Sequence, residues 1–449
     1  MFKLLEKLLM PAAEKLGKNK ILIAIRDGFL ISTPLLIVGS IFLLLANFPI
    51  SGWEEFWTKI LGEGWDMWFV NVSRATFGII ALLSCLGTGY AYAREIKGDK
   101  IQSAAVALVS FIILMPTCIS FEGVKGSGTI SALAFEYVGS NGIFLALIVS
   151  VVSVKIFNWA YEKGWTIKMP NGVPPAVADS FAALIPSSIV IGFFFLIRIG
   201  FEFTTFETAH KFIYTVLQMP LQGIGNTLGA QMVYSTFGSL FWFFGINGPA
   251  VTNTIFGPIM KVLTIENLEA FQAGLPLPNI FTGPFSDFFT CYGGGGSTLS
   301  LVIVMMLFCK SKRITQLGKL SIVPGIFGIN EPIIFGLPIV LNPVLIVPFI
   351  VVPSVNLILS TFATNLGIIP YTTGVALPWT TPIGFSGYLA TGSLVAGLWQ
   401  IGLLILGCFI YYPFIKMLDK KYLKDEEEAT NSESEIEDIS FEDLSAEDF

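Results

Sequence analysis

Runs of about 20 apolar residues recur along this chain, each long enough to cross the roughly 30 Å hydrocarbon layer of a bilayer as a helix. No other feature narrows the fold as much. Inside hydrocarbon the backbone must satisfy its own polar groups, so only helices and closed barrels span. A barrel needs short segments of alternating polarity, and the sequence has none. The clearest runs cover 28–49, 69–92, 101–120, 141–160, 179–203, 225–245, 296–309, 342–369 and 384–412. Composition agrees: 13% of residues are charged, against about 25% in a soluble domain. The expected class is an all-α polytopic membrane protein. Three segments, 249–263, 276–292 and 318–341, are too short or too broken to span simply.

The two ends differ in charge. The first 20 residues hold Lys3, Lys7, Lys15, Lys18 and Lys20 on an amphipathic pattern with no small-residue cleavage site. Residues 1–27 therefore read as an interfacial helix on the cytoplasmic face, not a signal peptide. From Asp425 onward there are 12 acidic residues and no Lys or Arg, and removing them turns the net charge from −6 to +6. Residues 416–449 are expected to form an acidic, disordered cytoplasmic tail. Lys and Arg cluster after the spans ending near 92, 160, 309 and 412, which puts both termini inside. Residues 204–224 show an apolar stripe through Phe206, Ala209, Ile213, Val216 and Leu217, as an amphipathic connector would. His210, the single histidine, lies off that stripe and is expected on the solvated face. The five cysteines are scattered in apolar sequence and read as packing residues. Neither they nor His210 has metal-ligand spacing, so no metal and no cofactor is expected.

Where an apolar segment carries amides, a carboxylate and prolines, its irregular backbone must line a cavity or be buried in protein. In GINEPIIFGLPIVLNP (328–343) Pro332 suits the first turn of a helix, which puts Glu331 at the cap position. A helix cap accounts for Glu331; so does a carboxylate presented to a polar substrate, since ionisable groups within membrane sequence mark function. Asn330 and Asn342 add amides to the same block. WFFGINGP (242–249) sets Asn247 between Gly245 and Gly248 beside an aromatic cluster containing Trp242, with Pro249 ending the helix. Gly293–Gly296 precede Ser297 and Thr298; without a P-loop lysine this reads as a flexible break before a capped helix. Trp379 sits in a Thr- and Gly-rich stretch, where its indole could stack on a sugar or belong to an interfacial aromatic belt. Together these residues suit a permease for a neutral, hydroxyl-rich solute.

GINEPIIFGLPIVLNP, WFFGING and GGGGSTLSLV resemble the membrane-spanning IIC subunit of bacterial phosphoenolpyruvate:sugar phosphotransferase systems, the lactose/cellobiose/diacetylchitobiose group above all, over roughly residues 1–424. The resemblance implies a homodimer of about ten transmembrane helices per subunit, with re-entrant hairpins and interfacial amphipathic helices. It implies a sugar carried inward and phosphorylated from a phosphocysteine on a cytoplasmic IIB protein, itself served by IIA. The implied substrate-binding residues are Glu331, which touches hydroxyls near the one phosphorylated, and Trp379; Asn247, Asn330, Trp242 and Asn342 join them from the reading of the residues. Asn247 departs from the family's histidine in this turn and cannot carry a proton near neutral pH.

No IIB or IIA domain is legible in the chain, so separate partner chains are expected, and no nucleic acid. The chain is then no enzyme on its own, apart from hydroxyl activation by Glu331. The expected organisation is a scaffold and dimerisation part over 28–203, the connector at 204–224, and a sugar-binding transport part over 225–415. A β-linked disaccharide, cellobiose first, is the expected substrate, moved by alternating access. The competing reading is a proton-coupled sugar transporter at the same membrane that releases unmodified sugar.

Overall fold

A computed structural model describes residues 15, 18–48, 50, 52–123, 126–170, 172–337, 339–340 and 342–442, with side chains described except at 119–127 and 429–442. The N-terminal helix expected over residues 1–27 lies largely outside these residues. Its last part, from Lys20, already belongs to the first spanning helix.

Polar caps start several of the helices. Asn19 accepts from the N–H groups of Ile21 and Leu22 to open α1 (Lys20–Ala46), satisfying donors a helix start otherwise leaves free. α2 (Trp53–Leu61) is a short amphipathic helix, and α3 (Asp66–Phe77) and α4 (Ile80–Glu95) follow. α1 and α4 cross closely: a β-carbon on Gly87 would lie 2.5 Å from the Gly28 carbonyl oxygen, so only small residues fit there. α5 (Lys100–Ile113) opens on Asp99, whose carboxylate accepts from Gln102 N–H.

The run read as one span over 101–120 is not one. Pro116 supplies no donor and its ring opposes further helix. The chain leaves α5 and forms an antiparallel hairpin, β1 (Cys118–Gly123) with β2 (Gly126–Ser131). The carbonyls left at this break are met by Arg198, whose guanidinium donates to Ile113 O at 2.7 Å and Met115 O at 3.0 Å. α6 (Phe135–Val138), α7 (Ile143–Glu162), α8 (Pro175–Ala182) and α9 (Leu184–Glu202) complete the first half of the chain.

The expected amphipathic connector is divided into short helical pieces. It comprises α10 (Ala209–Ile213), a π turn at Tyr214–Gln218 and α11 (Met219–Gly225). His210 is 3% exposed and lies against the rings of Phe111 and Tyr137, at 5.4 and 5.0 Å. A π turn adds a residue to the repeat, so a stripe drawn at 3.6 residues per turn is displaced from there on, and Val216, expected on it, is exposed.

α12 (Leu228–Phe243) is followed by a tight turn at Gly245, whose φ is +78°. The segment 249–263, expected to be broken, is instead part of the continuous α13 (Gly248–Gln272). Pro249 does not end a helix; it occupies the first turn of this one, where its missing N–H costs nothing. Then come α14 (Gly283–Phe289), the glycine loop with a 3₁₀ turn at Gly295–Ser297, α15 (Thr298–Phe308), α16 (Lys312–Ile326) and α17 (Glu331–Gly336). α18 (Ile346–Asn365), α19 (Phe385–Thr391) and α20 (Leu394–Glu442) finish the chain.

The expected disorder over 416–449 is corrected for 416–442, which continue α20 as helix. Two of its carboxylates hold the start of α16. Asp419 accepts from the N–H groups of Lys310 and Ser311, both at 2.9 Å. Glu426 accepts from Ser311 Oγ at 2.7 Å and Arg313 N–H at 3.1 Å. Acidic groups at a helix N-terminus are favoured by its dipole. Residues 443–449 lie outside the described residues.

The protein is thus a polytopic α-helical membrane protein. Among the described residues six helices are long and apolar enough to span, and α5 and the helix over Gly295–Phe308 are shorter apolar segments. One buried cluster joins Leu36, Ile80, Phe111, Phe157 and Val190 to Leu263 of α13. A second joins Trp242, Leu301, Ile334, Phe349 and Tyr411. The cavity described next is framed by α12, the α13 start and this second cluster.

Candidate functional site

A cavity of about 500 Å³ opens between α12, α13, α14, the glycine loop and the segments carrying Glu331 and Trp379. Its wall is shaped first by the glycine loop. Gly293, Gly294 and Gly296 have φ of +73°, +89° and +77°, a region in which only glycine sits without strain. Space forbids a side chain as well: a β-carbon on Gly294 would come 2.6 Å from Asn330 Cγ, and one on Gly295 2.9 Å from the Trp242 ring. The loop is tied on several sides. Asn330 Nδ2 donates to Gly295 O at 2.9 Å, and the Tyr411 hydroxyl donates to Gly296 O at 2.5 Å. Ser297 does not cap α15 as expected; its Oγ turns inward, accepting from Tyr292 N–H at 3.0 Å and from Asn356 Nδ2 at 3.1 Å.

This rigid loop sets Asn330 and Glu331. Asn330, 5% exposed, is spent on the loop. It is also the residue preceding α17, so Glu331 falls inside the first turn and not at the cap position. Its carboxylate caps nothing, has no partner among the described residues, and faces the cavity. Trp379 stands over Gly328 with 60% of its surface exposed. Trp242 is 5% exposed and its indole N–H, at the cavity wall, has no partner among the described residues. Asn247 accepts from Ala250 N–H at 3.0 Å, capping α13, and lines the cavity.

Trp242, Asn247, Asn330, Glu331 and Trp379 therefore meet on one cavity. Asn342 does not. Its Oδ1 accepts from the N–H groups of Val344 and Leu345, at 3.0 and 3.3 Å, in the turn before α18. An amide beside Pro343 was free to do either job, and the turn claims it.

The cavity has a second carboxylate that the motif reading passes over, Asp287 on α14, together with Tyr234 and Asn253. The signal was present: Asp287 is an ionisable residue in apolar sequence, the same rule that singles out Glu331. Among the described residues no Lys or Arg lines the cavity. Amides, carboxylates and indoles without a cation can bind a neutral polyol and repel an anion.

The family model of the phosphotransferase system EIIC proteins matches residues 26–353. The chain is 39% identical over 431 residues to the lichenan permease IIC component of Bacillus subtilis (strain 168), covering 94% of each chain. It is 40% identical to the cellobiose-specific EIIC component of Geobacillus stearothermophilus, covering 95% of this chain and 96% of the other. Among solved structures, the transporter ChbC, the IIC component from the N,N'-diacetylchitobiose-specific phosphotransferase system, superposes with a TM-score of 0.92 at 40% identity, over 94% of this chain and 99% of ChbC.

Proposed function

From the premise that the chain belongs to the phosphotransferase system EIIC family, we propose that it is the permease for a β-linked disaccharide, cellobiose first, delivering it for phosphorylation by a separate IIB protein. The observation that carries this is the cavity, with Trp379 exposed in it and, among the described residues, no cation lining it and no partner for Glu331. Its volume is within the 300–1,000 Å³ typical of small-ligand sites. The named substrates of the lichenan, cellobiose and diacetylchitobiose relatives support a β-linked sugar.

In this reading the flat C–H face of one pyranose packs on the Trp379 indole. Glu331 accepts from hydroxyls of that ring, and Trp242 and Asn247 supply N–H donors to its oxygens. In the transfer, a sugar oxygen bonds to phosphorus as the phosphorus–sulfur bond of the IIB phosphocysteine breaks. The hydroxyl proton needs an acceptor, and in this pose Glu331 is the carboxylate that holds the hydroxyls of that ring. Asn247 can orient a hydroxyl but cannot take that proton. Residues 28–203 act as the scaffold and dimer-forming part and 225–415 as the moving part, in a homodimer in the bacterial plasma membrane with both termini cytoplasmic.

The test is uptake of labelled cellobiose, lactose and diacetylchitobiose in cells with and without the matched IIB protein, with the internal product identified. Sugar phosphate formed only with IIB is the expected result. Free sugar that accumulates without IIB and is lost on collapsing the proton gradient overturns it in favour of a proton-coupled transporter.

A further inference from the structure

α13 reaches a second cavity at its far end. The start of the helix lines the cavity described above, at Asn247 and Asn253; its last turn, at Glu269 and Gln272, lines another of about 340 Å³. The two cavities share no lining residue. Sixteen residues of helix run from Asn253 to Glu269, about 24 Å at 1.5 Å per residue.

The second cavity lies between α13 and the first half of the chain, and the α13 side of it is fixed in place. Gln272 Nε2 donates to Ser73 Oγ of α3 at 2.8 Å. Ser140 Oγ, just after α6, donates to Glu269 Oε1 at 3.0 Å. Both serines are buried. The opposite side is Arg74, next to Ser73 on α3, with Phe135 and Glu136 at the start of α6. Phe135 lies against Gly78, where a β-carbon would come 2.7 Å from its ring, and still has 60% of its surface exposed. Neither the Arg74 guanidinium nor the Glu136 carboxylate makes a hydrogen bond or ion pair among the described residues.

These groups select a class of ligand. Two carboxylates against one guanidinium repel an anion, and the guanidinium opposes a free cation. Among the described residues no three His, Cys, Asp or Glu side chains gather to hold a metal ion. An apolar ligand would strand three charged groups and a carboxamide. A pyranose answers all of them. Its hydroxyls can donate to Glu136 and Glu269 and accept from Arg74, and a C–H face can lie on Phe135. The volume is at the lower end of the range for small-ligand sites.

We propose that this cavity is a second sugar site, separate from the one at Glu331, that holds a sugar across the joint between residues 28–203 and 225–415. The choice of a sugar rests on the reading of the chain as a sugar permease. A sugar bound there touches α3 and α6 on one side and α13 on the other, so its occupancy bridges the two parts.

The test is binding of cellobiose to the purified full-length protein, by calorimetry and by saturation-transfer NMR, in a detergent whose headgroup is not a sugar. The variants are Glu331→Gln, Arg74→Ala, Phe135→Ala and the Glu331→Gln/Arg74→Ala double. The unaltered protein is expected to take two cellobiose molecules per chain. Glu331→Gln weakens one of them and leaves the other within twofold. Arg74→Ala weakens that other one about tenfold or more, the scale of lost hydrogen bonds to a charged group, and Phe135→Ala weakens it severalfold. The double variant loses both without further coupling, because side chains so far apart act independently. One cellobiose per chain, or a second one that Arg74→Ala and Phe135→Ala leave unmoved, overturns the second site; a single site that depends on Glu331 leaves the permease reading standing. If the unaltered protein binds neither cellobiose, lactose nor diacetylchitobiose, the permease reading itself fails and takes the second site with it. Arg74 and Phe135 are both exposed, and should either variant fail to fold, the other carries the same comparison.

Discussion

Glu331→Gln separates binding from stability in one substitution. The Glu331 carboxylate has no partner among the described residues and lies in the first turn of α17 without capping it. Replacing it with an amide of the same shape removes no protein contact, so the fold should change by less than about 0.5 kcal/mol, the usual range for a site free of partners. Binding should behave otherwise. A hydrogen bond to a charged group is worth about 1.5–3 kcal/mol and to a neutral one about 0.5–1.5. Two hydroxyls held by one carboxylate then lose about 2 kcal/mol in the variant, near 30-fold in Kd. The assay is calorimetry with cellobiose beside thermal melting of the same sample in detergent. An unchanged Kd removes Glu331 from the sugar site. A large fall in melting temperature shows instead that the carboxylate holds the structure, and the reasoning from its unpartnered state is then wrong.

Trp379→Ala should weaken cellobiose about tenfold with little change in melting temperature, because the exposed indole contributes little to the core and, in the proposed pose, a face to the sugar; equal loss of stability would refute this. Asn342→Ala should do the reverse, lowering stability by about 1 kcal/mol through the lost turn cap while Kd stays constant, as titration of the purified variant will show. Tyr411→Phe leaves the Gly296 carbonyl without its donor, at a cost of about 1–3 kcal/mol for a buried acceptor, read as a lower melting temperature and slower IIB-dependent uptake. Asn247→His should keep cellobiose binding within a few-fold, since histidine can donate at the same turn, but lose up to about 1 kcal/mol of stability with the α13 cap.

The spanning helices were legible because about 20 apolar residues have one stable solution in lipid. What the periodicity missed has local causes. Pro116 and Pro249 look alike as helix breakers, yet one ends α5 before a hairpin and the other begins α13, and only the capping partner decides which. His210 fell on the wrong side because it packs, next to the expected Ala209, on Phe111 and Tyr137 from distant parts of the chain, which no local stripe announces. The acidic tail looked unable to fold by its composition, but Glu426 reaches residues 311–313, more than a hundred positions earlier, and no local pattern announces that. In the site, Trp242, Asn247, Asn330, Glu331 and Trp379 stood out because polar or aromatic groups interrupt apolar sequence at helix breaks. Asn342 shared that signature and was claimed by a turn. Asp287 carried it too, but lay beside a run of four glycines whose conformational role drew the reading.

The grip of Asp419 and Glu426 on residues 310–313 makes the end of the chain a mechanical handle. α20 holds the start of α16 at two points, and the far end of α16 leads through Gly328 into the strand of chain that carries Asn330 and Glu331. A pull or twist on α20 bears directly on the residues that open α16. A reporter or affinity tag fused after residue 442 is therefore not silent, and transport assays should carry their label elsewhere on the molecule.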